Sequence, residues 1–405
     1  MGTDTVLIRG ARQLVTLRGP QRPRRGVELQ QVQSISDGAL LIRKGLCAEV
    51  GPSRRVENLA AARRANVIDA TGRVVIPGFV DGQVHPFSAV PWVGAAGGTA
   101  RELLSVTWKR HAARARTLIR AMIRHGTTAA QLLTTGSHDP RVESKVLRVF
   151  HALRDEPLSL SEALLVDLRS SVSTAALESV LRRYSMGREA PAVALTWNPE
   201  ELAPEELLCQ LRLASGMGVS LRLHAPGAMA DAAIHAAAEI PVAAISHLEE
   251  ASAALAGELA ATGAIATLTP ASYFCGNARP APARAFIQAG VPVALASGYR
   301  PGAGGSLNMQ TAMAMAGQVL GMSPEEALTA ATFNAACAAG CAAMSGSLEI
   351  GKPADLLILN ISDYRELSQH LGINQVHSTL RRGEVVYREG AISLGPALSE
   401  AGREA

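Results

Sequence analysis

Apolar and polar positions alternate in short blocks over the first part of the chain. Residues 5–8, 13–16, 39–42 and 48–50 read as short strands, punctuated by glycine, proline and charge. Residues 38–45 followed by 49–52 predict a hairpin pair, and residues 67–73 lead out of this small β-region. From residue 74 the pattern changes: short apolar runs now alternate with longer Ala/Leu/Arg stretches of helical period. The apolar runs are 74–80, 127–133, 160–166, 193–196, 219–223, 242–245, 264–268 and 292–296. Helical periodicity fills the gaps, for example over 101–125 and 204–217. Eight strands alternating with helices predict an α/β fold, a (β/α)8 TIM-like barrel, with a doubly wound sheet as the alternative. Two helices follow, 307–320 and 324–339, the second with Ser323 as N-cap and Pro324 at its first position. Strand pattern returns over 346–359 and in a hairpin over 378–387, and the tail after Leu394 reads as loose.

Composition narrows the function classes. Hydrophobic residues make up 48% of 405 residues, enough for a sizeable core, while aromatics are only 3%. A net charge of +4 from 39 basic and 35 acidic residues is too balanced to point to nucleic acid. Five cysteines (Cys47, Cys209, Cys275, Cys337, Cys341) form no disulfide or metal spacing, which fits a reducing cytoplasm. Arg9, Arg12 and Arg18 interrupt the first apolar runs, so no signal peptide is expected, and no run is long enough to span a membrane.

The chemistry begins at Val74-Val75-Ile76-Pro77-Gly78-Phe79-Val80-Asp81-Gly82-Gln83-Val84-His85. Residues i and i+2 of a strand share a side, so Gln83 and His85 project together from its carboxyl end. The stretch resembles the first-strand signature of the amidohydrolase superfamily, in which two histidines hold a metal; Gln83 stands where the first histidine belongs. Gly346-Ser347-Leu348-Glu349-Ile350-Gly351-Lys352-Pro353-Ala354-Asp355-Leu356 is similar to that superfamily's closing β-segment. Residues 283–296, Met322-Ser323-Pro324-Glu325-Glu326-Ala327-Leu328, and Asp363-Tyr364-Arg365-Glu366-Leu367 with residues 370–374 resemble the imidazolonepropionase family. Its enzymes open a five-membered imidazolone ring by hydrolysis. The resemblance implies a barrel over 74–345, a small β-sandwich domain composed of 1–73 and 346–405, and a dimer. It is weakest over residues 158–217.

The same resemblance assigns positions. His85 keeps the second histidine of strand one, and His224 the histidine after strand five. His247 keeps the histidine after strand six, the candidate catalytic, substrate-facing group. Gly298 stands in place of the strand-eight aspartate that binds metal and takes a proton from the attacking water. Tyr299 and Arg300 follow it in the pocket, Arg300 at a position that is usually asparagine. No arginine occurs near Val90-Pro91-Trp92, no tyrosine in Thr134-Thr135-Gly136-Ser137, and Gly227 replaces an acidic residue. Strand three offers no histidine around Leu165-Val166-Asp167, and strand four ends Thr196-Trp197-Asn198 with no bridging lysine. Three further possibilities carry little: Gly302-Ala303-Gly304-Gly305-Ser306 lacks the lysine of a phosphate loop, Ser297 has no nameable base, and His111, His125, His138, His151, His235, His370 and His377 read as surface or satisfied core residues.

Two functions follow as expectations. One is an imidazolonepropionase-like protein, catalytically degenerate, that binds a small-molecule ligand or serves as a partner subunit, as a homodimer or in a heteromer with an intact paralogue. The other is a divergent metal-dependent hydrolase of a cyclic amide or another non-peptide C–N bond, using a metal ligated by Gln83, His85 and His224. The cofactor expectation is none, or a single divalent metal (Zn or Fe) at a weakened site. Neither nucleic acid nor a membrane is an expected partner.

Overall fold

The computed structural model describes residues 5–87, 100–137, 139–169, 172–198, 200–272, 279–301 and 305–390. Val90, Pro91, Trp92, His138, Cys275, Gly302 to Gly304 and the tail after Leu394 lie outside them. Five strands come first: β1 (Thr5–Val15), β2 (Ser34–Arg43), β3 (Leu46–Pro52), β4 (Asn66–Asp69) and β5 (Val74–Pro77). Eight follow: β6 (Phe79–Val84), β7 (Thr127–Leu133), β8 (Ser159–Leu168), β9 (Ala192–Trp197), β10 (Ser220–His224), β11 (Ala244–Ser246), β12 (Ile265–Leu268) and β13 (Val293–Leu295). The chain closes with β14 (Leu356–Leu359), β15 (Val376–Arg381) and β16 (Glu384–Arg388).

The middle eight strands make a parallel sheet in simple sequential order, β6 to β13, with helices between. This is the expected (β/α)8 barrel. Its strands bury Leu195, Leu223, Ile245, Leu268 and Leu295 in one core with the surrounding helices. The chain ends share a second sheet, ordered β16-β15-β14-β5-β1-β2-β3, with β4 paired to β1. That sheet has its own core, centred on Leu14, Leu40, Val75, Leu356 and Ile358.

Several boundaries differ from the sequence pattern, each for a local reason. The apolar run 74–80 is two strands, because Gly78 passes so close to β7 that a Cβ there would lie 2.0 Å from Thr128 Oγ1. Before it, β5 pairs with β1 and β14; after it, β6 starts the barrel. The two short strands at 5–8 and 13–16 are one strand with a register shift between Ile8 and Ala11. The helical stretch 101–125 breaks into Ala100–Ser105 and Trp108–Arg124, where Thr107 turns extended and its side chain accepts from Arg110 N–H. The second helix buries Ala112, Ala115, Ile119, Met122 and Ile123 along one face. The stretch 324–339 breaks at Thr332 (φ −127°, ψ −88°) into Pro324–Ala331 and Phe333–Ala338. Its start is as expected: Ser323 and Glu326 form a reciprocal cap with proline in the first turn.

Candidate functional site

The first and last barrel strands are joined through Asp81. Its Oδ1 accepts from the backbone N–H of Ser297 at 3.0 Å and of Gln83 at 3.3 Å. The His85 N–H donates to the Tyr299 carbonyl at 2.9 Å, one turn further up the same seam. Burial pushes the Asp81 carboxyl up to about 6, against the opposing pull of the Ser297 and Gln83 donors. Sequence reading left Asp81 without a role; the structure makes it the clasp that sets Gln83 and His85 at the carboxyl end of β6.

Three imidazoles meet there. His85 follows β6, His224 ends β10, and His247 follows β11. One ring nitrogen from each lies within 4.8 Å of the others, and all three residues are buried. The His85 and His224 rings meet edge-on at 5.8 Å between centroids, and those of His224 and His247 at 5.5 Å. His247 holds a left-handed backbone (φ 64°), a conformation that costs a non-glycine residue of the order of 1 kcal/mol. Gln83 joins the group: its Nε2 lies 2.6 Å from His247 Nε2. With the imidazole neutral, the amide N–H donates and Nε2 accepts, which leaves the ring proton on Nδ1. That nitrogen faces Glu249, whose Oε1 is 3.9 Å away and itself accepts from Thr269 Oγ1 at 2.9 Å. Glu249 and Thr269 were not singled out in the sequence; the signal was a glutamate two residues past the strand-six histidine.

The electrostatics favour uncharged rings. Burial holds His85, His224 and His247 down, and the Arg300 guanidinium adds to the effect on all three. His224 falls to about 3, with Arg222 also contributing. Burial lowers Arg300 to about 10, so it keeps its charge at neutral pH. Gly298 turns with φ 61° and brings no side chain to the site. Tyr299 packs against an apolar cluster that includes Phe87 and Leu103. Thr135 and the Ser137 N–H are both held by the half-buried Glu143 carboxylate. Among the described residues, a carboxylate joins no imidazole nitrogen to complete a ligand group.

A divalent metal at this place is therefore matched in part. Three neutral imidazoles are suitable donors, and His85 Nε2 is buried without a hydrogen-bond partner, as a ligand nitrogen would be. His85, His224 and His247 are the residues that would hold it. The arrangement departs from a hydrolytic centre in its missing carboxylate and in the Arg300 cation. Two other histidines have ordinary partners: His111 Nε2 meets the Leu103 carbonyl at 3.0 Å, and His235 Nδ1 meets Glu258 at 2.8 Å. Among the described residues no helix is long and apolar enough to cross a membrane.

Comparison with known proteins gives the same outline. The amidohydrolase family description matches residues 74–386. The chain is 31% identical to an imidazolonepropionase of Solibacter usitatus, over 96% of this chain and 100% of that protein. It is 30% identical to one of Porphyromonas gingivalis, over 95% and 98%. Among solved structures, guanine deaminase of E. coli superposes with TM-score 0.72 at 18% identity, covering 95% of this chain and 99% of that one. Atrazine chlorohydrolase from Arthrobacter aurescens, complexed with zinc, superposes with TM-score 0.72 at 17% identity, covering 96% and 97%.

Proposed function

The chain belongs to the amidohydrolase family, and within it we propose an imidazolonepropionase-like protein whose hydrolytic centre is degenerate and whose pocket serves ligand binding or a partner-subunit role. One observation carries the reading. At the carboxyl end of β13, where a carboxylate would complete the site, the chain has Gly298 and, two residues on, the buried Arg300. A bound metal would supply Lewis acidity and lower the pKa of a water. Among the described residues, however, no carboxylate joins the three imidazoles to serve as a base. Asp81 Oδ1 is engaged by two backbone donors while its Oδ2 is buried without one, and Glu249 lies on the Nδ1 side of His247, away from the face that meets Gln83. Arg300 also sets a permanent positive charge against any cation among the imidazoles.

Within this reading His85, His224 and His247 are the imidazoles left to hold a metal, with Gln83 where a further histidine would stand. His247 is tied to Gln83 instead of facing a substrate, and at most a weakly held zinc or iron remains. The proposal extends to a cytoplasmic protein that pairs with itself or with an intact paralogue; the cysteine pattern and the family likeness support it.

The test is turnover. Protein supplied with zinc or iron is assayed against cyclic amides, including a five-membered imidazolone. Hydrolysis no faster than in a His85→Ala control is expected. Turnover that His224→Ala abolishes would overturn the reading and establish a divergent metal-dependent hydrolase.

A further inference from the structure

The opposite mouth of the barrel holds a space of its own. A cavity of about 400 Å3 opens at the amino-terminal ends of β8, β9 and β10, beside Ala339 and Gly340. That volume suits a small organic molecule. Catalysis in this fold sits at the other mouth, so a ligand here would be independent of the histidine site.

The lining is chemically specific. Arg154, Arg188 and Arg222 bring three guanidiniums to it, against the carboxylates of Glu162 and Glu189. Glu162 is shared: Arg154 reaches it at 3.2 Å and Arg188 at 3.3 Å. Arg222 is buried, and its Nε and Nη2 donate to the Ala338 carbonyl at 3.0 and 2.8 Å. Among the described residues no carboxylate forms an ion pair with it. A buried guanidinium served only by carbonyls carries an uncompensated charge, and such charges are costly unless an anion neutralises them. Leu132, Phe150 and Leu160 supply an apolar wall beside this charge.

We propose that this cavity is a second ligand site, which takes a small carboxylate with an apolar body. Arg222 supplies the charge at its inner end, Arg188 the charge at its rim, and Phe150 with Leu132 and Leu160 the wall against which the body packs. A planar carboxylate matches the guanidinium fork with two parallel hydrogen bonds. The apolar wall favours it over a compact, fully hydrated anion.

Calorimetric titration of the full-length protein with benzoate, benzamide and inorganic phosphate tests this. One benzoate is expected to bind per chain, with benzamide and phosphate at least about tenfold weaker. R188E is expected to weaken benzoate at least about tenfold. Its side chain is 33% exposed, so the variant keeps the test decisive even if Arg222→Met fails to fold. Arg300→Met, at the other mouth, is expected to leave benzoate affinity within about twofold, as for distant sites. Three results overturn the proposal: no benzoate binding, phosphate bound in preference to benzoate, or binding that survives R188E and disappears in Arg300→Met.

Discussion

The two mouths of this barrel use the same strand in opposite ways. On β10, Arg222 and His224 are two residues apart and share the inward face. At the carboxyl end, the strand delivers a neutral imidazole to a buried cluster in which His247 is hydrogen-bonded to Gln83 while His85 Nε2 has no hydrogen-bond partner. Between the two ends, a void bounded by Gln83, His224, Ser246 and Arg222 measures about 10 Å3, room for a single water. At the amino end, the same strand delivers a permanent charge beside about 400 Å3 of space. Side chains typical of chemistry thus cluster at one end, and the cavity at the other is lined by those typical of anion recognition. Retained histidines are consequently weak evidence for retained catalysis; the groups around them decide.

The largest effect that would break this contrast is on acid stability. A histidine whose folded pKa lies below its unfolded value contributes stability that is present above the unfolded pKa and lost as pH falls below it. His85, His224 and His247 are all of this kind. Asp81, raised to about 6, works the other way: its contribution is present at low pH and lost as pH rises through 6. Three imidazoles against one carboxyl leave a net of about two protons, or roughly 3 kcal/mol per pH unit between about pH 6.5 and 5. Urea titrations of chelator-treated protein across that range should show stability falling with acidification, and His224→Asn should make the fall shallower. The arginines of the other mouth do not titrate there. A flat profile would mean that the imidazoles are hydrated, not packed.

Rebuilding the upper mouth comes next in size. Gln83→His, Gly298→Asp and Arg300→Asn together restore a carboxylate and remove the opposing charge. Zinc affinity, read by competition with a chelator, is expected to rise at least about 100-fold, or about 2.7 kcal/mol. The left-handed backbone at position 298 costs the aspartate about 1 kcal/mol in folding stability. No gain in affinity would show that these three positions do not limit metal binding.

At the lower mouth, Arg222→Met strips the donors from the Ala338 carbonyl and should destabilise the fold by about 1–2 kcal/mol in denaturant titrations. Benzoate should raise the melting temperature of the parent protein and leave that of this variant unchanged. Smallest of all, Arg154→Ala breaks an ion pair whose arginine side chain is 56% exposed, and its stability should stay within about 0.5 kcal/mol of the parent.

Much of the upper mouth was legible in the sequence, because its residues sit at recognisable strand ends. His85, His224 and His247 each close an apolar run, and a parallel barrel brings such ends to one mouth. The hydrogen bond between Gln83 and His247 was not legible, since it joins side chains 164 residues apart. Nor was the division at Gly78: Pro77-Gly78 interrupts the run, but nothing local says that its two halves serve different sheets. The lower mouth left one trace, an arginine in the inward phase of Leu221-Arg222-Leu223-His224. Its cavity depends on Ala339 and Gly340, which follow a helix that crosses from far along the chain, and no local pattern reports such an approach.

The central claim is that the upper mouth has lost its hydrolytic metal centre while keeping three of its histidines. Metal content after zinc- and iron-supplemented expression, read by elemental mass spectrometry on the purified protein, tests it most directly. The account predicts far less than one metal per chain, and no difference between the parent and His85→Ala. Near-stoichiometric metal that is lost in His85→Ala would contradict it.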